Sequence, residues 1–283
     1  MDNLFDIFNR TYLDNANNNY NTYDYYNKSA RSDISKFRET LESWFSKYPL
    51  LERKDLKSRF KKEFYSPFYE LFLYQLFSKL GYNIIIHPEV PNSTKSPDFL
   101  ISKDNIEIYI EAKVVTNITK EQEALERKKN EFYDNLNKLK SNSFYLDIEH
   151  FKILTNKQPS TKGVISYIEK KLNEIDPDLL SDEIEKYGFD KLPIIKYNKD
   201  GIHIIVKPIP VKSSARKKIK RPIGIYPVEF SWGGAKKSLR DSIDKKAKRY
   251  GKLDKPFIIC LNIIDIITFG REDVDDGIWG SLE

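Results

Sequence analysis

Ser96-Pro97-Asp98-Phe99-Leu100-Ile101-Ser102-Lys103-Asp104-Asn105-Ile106-Glu107-Ile108-Tyr109-Ile110-Glu111-Ala112-Lys113 is the stretch whose reading decides the fold. Two strand-like runs flank Asp104-Asn105, a pair suited to a tight turn, so the stretch reads as a β-hairpin. With those two residues as the loop, Lys103 faces Ile106, Ile101 faces Ile108 and Phe99 faces Ile110, which gathers apolar residues on one face. The same register sets Asp98 opposite Glu111, with Cβ atoms roughly 4.5–5.5 Å apart. Two carboxylates at that spacing repel unless a cation lies between them. Lys113 shares the face of Glu111, two residues on. Alternation alone would turn Glu107, Tyr109, Glu111 and Lys113 to water. The opposed Asp98 argues against that, because like charges make a poor solvated pair and a good pair for a hard divalent ion. Mg²⁺ takes oxygen ligands, usually one or two carboxylates with water and substrate phosphate. A lysine beside them can orient a water or neutralise charge on an attacked phosphate.

Upstream, Ser66-Pro67 reads as a helix start and Gly81 as its stop. The helix between, with Phe68, Leu71, Phe72, Leu73, Leu76, Phe77 and Leu80, is apolar nearly all round and is expected to be deeply packed. Strands are expected over 83–90, 97–102 and 106–115, then a helix over 121–139 and a strand over 144–154. Further on come a helix over 163–175 closed by Asp176-Pro177, a strand over 202–211, a basic helix over 239–250 and a buried strand over 257–264. Pro208 and Pro210 suggest that the 202–211 strand lies at an edge. Residues 31–65 read as helical with a turn at Tyr48-Pro49. Residues 1–28, rich in Asn and Tyr, read as a mobile tail or loose lead-in. The mixed order implies one α/β domain with elaborations.

Pro97-Asp98, followed across the hairpin by Glu111-Ala112-Lys113, resembles the motif of the PD-(D/E)xK nuclease superfamily, which includes restriction endonucleases and Holliday-junction resolvases. The resemblance implies a restriction-endonuclease-like core, a mixed β-sheet flanked by helices in the order α-β-β-β-α-β, over 66–155. A lead-in (1–28) and an N-terminal helical region (29–65) precede that core. A helical insertion and basic C-terminal part (156–283) then pack on the same domain. The resemblance makes Asp98 and Glu111 metal ligands, with the Ala112 carbonyl as a third, and Lys113 the catalytic lysine. Glu70, an acid on the otherwise apolar first core helix, is the added catalytic acid; its bland alternative is a first-turn acid favoured by the helix dipole. Some relatives carry a Gln or Lys on the helix after the motif, for which Gln122, Lys120, Arg127 and Lys128 are all available. The implied cofactor is Mg²⁺, with Mn²⁺ able to substitute, and the products are a 5′-phosphate and a 3′-hydroxyl.

The net charge is +6, and it is unevenly spread. Between Lys212 and Lys252, 14 Lys or Arg stand against Glu229, Asp241 and Asp244, which makes that segment +11 and the rest −5. Such a run reads either as a solvated surface or as a footprint for backbone phosphates. Its candidate nucleic-acid contacts are Arg216, Lys217, Lys218, Lys220, Arg221, Lys245, Lys248 and Arg249, with Tyr250 and Trp232 available to stack on bases. The expected partner is nucleic acid, DNA ahead of RNA. An RNA-cleaving nuclease with the same site, or a non-catalytic binding module on a nuclease-like fold, is the alternative. Double-strand cutting favours a homodimer. Gly233-Gly234-Ala235-Lys236-Lys237-Ser238 lacks phosphate-loop spacing and no methyltransferase or helicase motif is read, so any ATPase, helicase or methyltransferase activity is expected of a separate partner. One cysteine, Cys260, excludes an internal disulfide and a cysteine-based zinc site. The three histidines, His87, His150 and His203, are too scattered for a zinc helix. The longest apolar stretch, Phe257 to Phe269, is too short and polar to span a bilayer. With no secretory signal read, the expected setting is the cytoplasm, in prokaryotic defence or repair.

Overall fold

The chain runs α1 (Thr22–Lys28), α2 (Ser32–Phe45), α3 (Leu50–Lys62), α4 (Tyr65–Lys79), β1 (Asn83–Ile86), β2 (Phe99–Lys103) and β3 (Ile106–Val115). It continues through α5 (Lys120–Leu136), β4 (Phe144–Ile153), α6 (Lys162–Asn173), α7 (Pro177–Tyr187), β5 (Ile195–Lys199), β6 (Ile202–Pro210) and β7 (Ile223–Ile225). It ends with α8 (Ala235–Ala247) and β8 (Phe257–Ile263). The computed structural model describes residues 3–91, 93–116, 120–216, 218–227, 235–264, 274–276 and 278. The elements form two compact α/β units, each with a four-stranded mixed sheet flanked by helices. Residues 1–16, 20–117 and 230–283 make the first unit, and residues 17–19 and 118–229 the second.

In the first unit the strand order is β1-β2-β3-β8. The hairpin register is the expected one, with Lys103 opposite Ile106 and Phe99 opposite Ile110. Asp104 and Asn105 take φ of 51° and 64°, the left-handed pair whose twist matches the strands of a two-residue hairpin. β1 pairs antiparallel with β2 but stops at Ile86, short of the expected 83–90, because His87 turns to φ 47°. The His87 N–H still reaches the Asp98 carbonyl at 3.1 Å, which fixes the backbone just before β2.

The strand that completes this sheet is not the expected one. β4 lies in the second sheet, and the parallel neighbour of β3 is β8, with Glu111 beside Ile259 and Ala112 beside Cys260. The contact divisions fall at 117/118 and 229/230, so residues 156–283 are shared between the two units.

α4 covers one sheet face through Leu73, against Phe99, Ile101 and Ile110. It begins at Tyr65, ahead of the expected Ser66 cap, and Pro67 sits in its first turn, where an N–H has no intrahelical acceptor. Its burial is two-sided, not all round: Leu71 is fully buried among the preceding helices, while Phe72, Leu76 and Leu80 are exposed. Gly81, at φ 82°, ends it as read. The expected loose lead-in is anchored by packing near its two ends, while Ile7, Phe8 and Leu13 between them are exposed. Leu4, Phe5 and Tyr23 are buried with Leu41, Phe45 and Phe60, and the Leu4 and Phe5 N–H groups donate to Glu42 at 3.0 and 2.6 Å. Its asparagines obscured these apolar anchors.

The second unit has the order β5-β6-β4-β7. Phe132 and Leu136 of α5, Ile168 of α6 and Leu180 of α7 pack with Leu146, Ile204 and Val206 of the sheet. β6 is interior, which overturns its expected edge position. The reason is local: β5 pairs only with 202–206, so Pro208 and Pro210 lie beyond its end, where no ladder bond is needed on that side.

Candidate active site

β3 is buried on both faces at Tyr109, Ile110 and Glu111. Ile110 faces the α4 side. Glu111, 2% exposed, meets α8 instead. Its two oxygens have different partners: the Lys246 ammonium donates to Oε1 and the Tyr250 hydroxyl to Oε2. Lys246 lies in the last turn of α8, where the helix dipole favours a cation. Past Ala247 the chain keeps turning, with Lys248 N–H on the Asp244 carbonyl at 3.2 Å and Arg249 N–H on that of Lys246 at 3.1 Å. That extra turn brings Tyr250 to the same carboxylate. Tyr250 is 4% exposed, so the expected base-stacking role does not fit its position. Its phenol is held protonated by burial and by donation to Glu111.

Asp98 sits immediately before β2 and accepts the Ala112 N–H on Oδ2 at 2.7 Å. Its pKa is pushed up to about 6, by burial first and then by the negative charge of Glu111, with Glu70 adding to it. The Ala112 N–H and Lys246 pull the other way. Lys113, half-buried, has its pKa held below the ordinary lysine value by burial and then by the nearby Lys246, with Lys245 contributing. The hairpin residues Asp98, Glu111 and Lys113 are thus gathered in one electrostatic cluster, as the sequence indicates, and α8 adds two residues that it did not. The spacing of Lys246 and Tyr250 was the available signal, since residues four apart share a helix face, but nothing local tied that face to Glu111.

Glu70 lies close enough to raise the pKa of Asp98, yet its own oxygens are engaged elsewhere. Tyr48 donates to Oε1 at 2.8 Å, and Arg59 grips both oxygens, with Nη2 to Oε1 at 2.9 Å. It lies beyond the first turn of α4, so the helix-dipole alternative does not apply. Among the described residues, no group of three or more His, Cys, Asp or Glu could hold a metal ion. Asp98 and Glu111 offer two carboxylates, and the Ala112 N–H is the backbone group shown at Asp98.

The basic run is divided between the units. Arg216 forms an ion pair with Asp178, with Nη1 to Oδ2 at 3.0 Å, and donates to the Val211 carbonyl, so it anchors its own turn. Arg221 donates to Asn17 at 2.7 Å. Lys218 and Lys220 are exposed in the second unit. Lys245, Lys248 and Arg249 are exposed on the turn of the first unit that carries Lys246. Lys217, Trp232 and the side chain of Lys236 lie outside the described residues, as does the side chain of Lys120. Gln122, Arg127 and Lys128 belong to α5, in the second unit. Among the described residues no helix is long and apolar enough to cross a membrane. No protein-family model, no curated protein and no solved structure matches the chain.

Proposed function

We propose that the chain is a metal-dependent endonuclease that hydrolyses phosphodiester bonds, DNA ahead of RNA, in a restriction-like or repair role. The observation that carries this reading is the covered pair of carboxylates, Asp98 and Glu111, with Lys113 and Lys246 beside them. The element order supports it. Taken with 118–229 as an insertion, α4, β1, β2, β3, α8 and β8 run in the α-β-β-β-α-β order of PD-(D/E)xK nucleases. The donors fit Mg²⁺, or Mn²⁺ in its place: they are hard oxygens, and the like-charge pressure on Asp98 is what a divalent cation relieves. Asp98 and Glu111 would hold the ion, with the Ala112 carbonyl.

When bound, the ion supplies Lewis acidity and a nucleophilic water near neutral pH. The chain does the rest. The Ala112 N–H fixes the Asp98 carboxylate, and the Tyr250 hydroxyl fixes that of Glu111. Lys113, whose charged form is disfavoured by its surroundings, exchanges a proton at Nζ more readily than an exposed lysine. Charged, it offsets negative charge building on the phosphate. The exposed Lys245, Lys248 and Arg249 offer backbone phosphates a cationic approach.

The test is cleavage of plasmid, linear and single-stranded DNA and of RNA in Mg²⁺, Mn²⁺ or EDTA. Metal-dependent cutting should fall at least about 100-fold in Asp98→Ala and in Lys113→Ala, the scale of losing one charge-stabilising group. Cutting that survives EDTA, or that both folded variants retain, would sink the reading.

A further inference from the structure

Both oxygens of Glu111 are engaged. Lys246 holds Oε1 and Tyr250 holds Oε2, and the carboxylate is almost wholly out of water. A cation that bridges Asp98 and Glu111 meets one of these partners on whichever Glu111 oxygen it approaches. The Tyr250 phenol is neutral and can remain. The Lys246 ammonium cannot share the position, because two cations on one buried oxygen repel without solvent screening. Lys246 thus already stands as the counter-cation of the pair.

It is also a lysine with somewhere to go. Its side chain is only 17% exposed while it rests on Glu111, but it belongs to the same turn as the exposed Lys245, Lys248 and Arg249. A polyanion drawn to those residues brings phosphate oxygens within the range of a flexible four-carbon stem. Each phosphate contact that Lys246 makes is one that Glu111 loses, and the emptied Oε1 is then available to a metal ion.

We propose that Lys246 is a positioning residue that exchanges between Glu111 and the phosphate backbone, so that nucleic acid and the divalent cation bind cooperatively. The proposal rests on the metal-dependent nuclease reading and adds an order of events to it: without nucleic acid, the lysine keeps the metal out. Linkage makes the effect reciprocal, so the metal tightens nucleic-acid binding by the same factor.

The test measures Mn²⁺ affinity by electron paramagnetic resonance, with and without a short phosphorothioate duplex that resists cutting, after subtracting Mn²⁺ bound by the duplex alone. In the wild-type chain the duplex should raise Mn²⁺ affinity by about 5- to 150-fold, the usual range of such coupling. Lys246→Met should bind Mn²⁺ without duplex about as tightly as the wild type does with it, and should lose most of the coupling. A merely structural lysine would give the opposite, since damage to the fold weakens metal binding. Lys246→Gln keeps a donor to Glu111 but no charge. It should also bind Mn²⁺ more tightly than the wild type without duplex, and it serves if the methionine variant does not fold. Wild-type affinity that ignores the duplex, or coupling undiminished in the folded variants, overturns the proposal alone, provided that Asp98→Asn abolishes Mn²⁺ binding. Absence of Mn²⁺ binding in the wild type under both conditions overturns this proposal and the nuclease reading together.

Discussion

Asp98 and Glu70 are neighbouring carboxylates with opposite surroundings, and each makes its own prediction. Glu70 is held by Arg59 and Tyr48, so removing the guanidinium strands a buried charge. Arg59→Met is expected to lower stability by about 2–4 kcal/mol, somewhat less than breaking a fully buried pair costs because Arg59 is partly exposed. Adding Glu70→Gln should recover much of that loss and leave cleavage within a few-fold of the wild type. Denaturation and rate measurements on the single and double variants check this, and a rate that collapses with Glu70→Gln alone would return Glu70 to the chemistry. Asp98 has its negative charge opposed instead of supported. Its folded pKa, about 6, lies above the ordinary 3.8, so the native state binds the extra proton between those values. Stability therefore falls as pH rises through that window and levels off above it. Asp98→Asn should match the wild type near about pH 4 and exceed it by about 1–3 kcal/mol near about pH 8. Denaturation in EDTA across that range reads the difference, and parallel curves would contradict it.

Local chemistry writes some elements plainly and leaves others silent. The 96–113 hairpin was legible because its turn residues and alternation agree, and its register follows from them. Asn105 occupies the left-handed region, so Asn105→Val should cost about 1–2 kcal/mol in a denaturation experiment. A neutral result would mean that the turn is not under that constraint. β5 went unread although Asp200-Gly201 lies between two strands, with φ of 54° and 75°. The polar residues of Lys196, Asn198 and Lys199 masked the alternation of Ile195 and Tyr197. α7 went unread because Asp176-Pro177 was taken only as a stop, whereas Asp176 caps the next helix through the N–H groups of Asp178 and Leu179. The pairing of β3 with β8 had no local mark at all. Parallel strands need a crossover, and here the intervening chain includes an entire second unit. Three of the five residues of the candidate site, Asp98, Glu111 and Lys113, were therefore legible, while Lys246 and Tyr250 depended on a long-range pairing.

At the scale of the whole molecule, the +11 segment is divided between the two units. If the half on α8 and its following turn meets phosphate, reversing Lys248 and Arg249 together to glutamate should flatten the salt dependence of DNA binding by about 2 in log–log slope. Titrations at several salt concentrations measure it, and an unchanged slope would place the phosphate contacts elsewhere. The late position of β8 also bears on synthesis. Asp98, Glu111 and Lys113 leave the ribosome early, but β3 waits with one edge unpaired until the whole of 118–229 has followed. An unpaired edge of Ile, Tyr and Val residues is a template for aggregation. A nascent chain halted at residue 229 would carry the motif with neither the strand that seals β3 nor the lysine and tyrosine that hold Glu111. Such fragments should pellet on sedimentation, and fragments that stay in the supernatant would mean that the open edge of β3 is covered without β8.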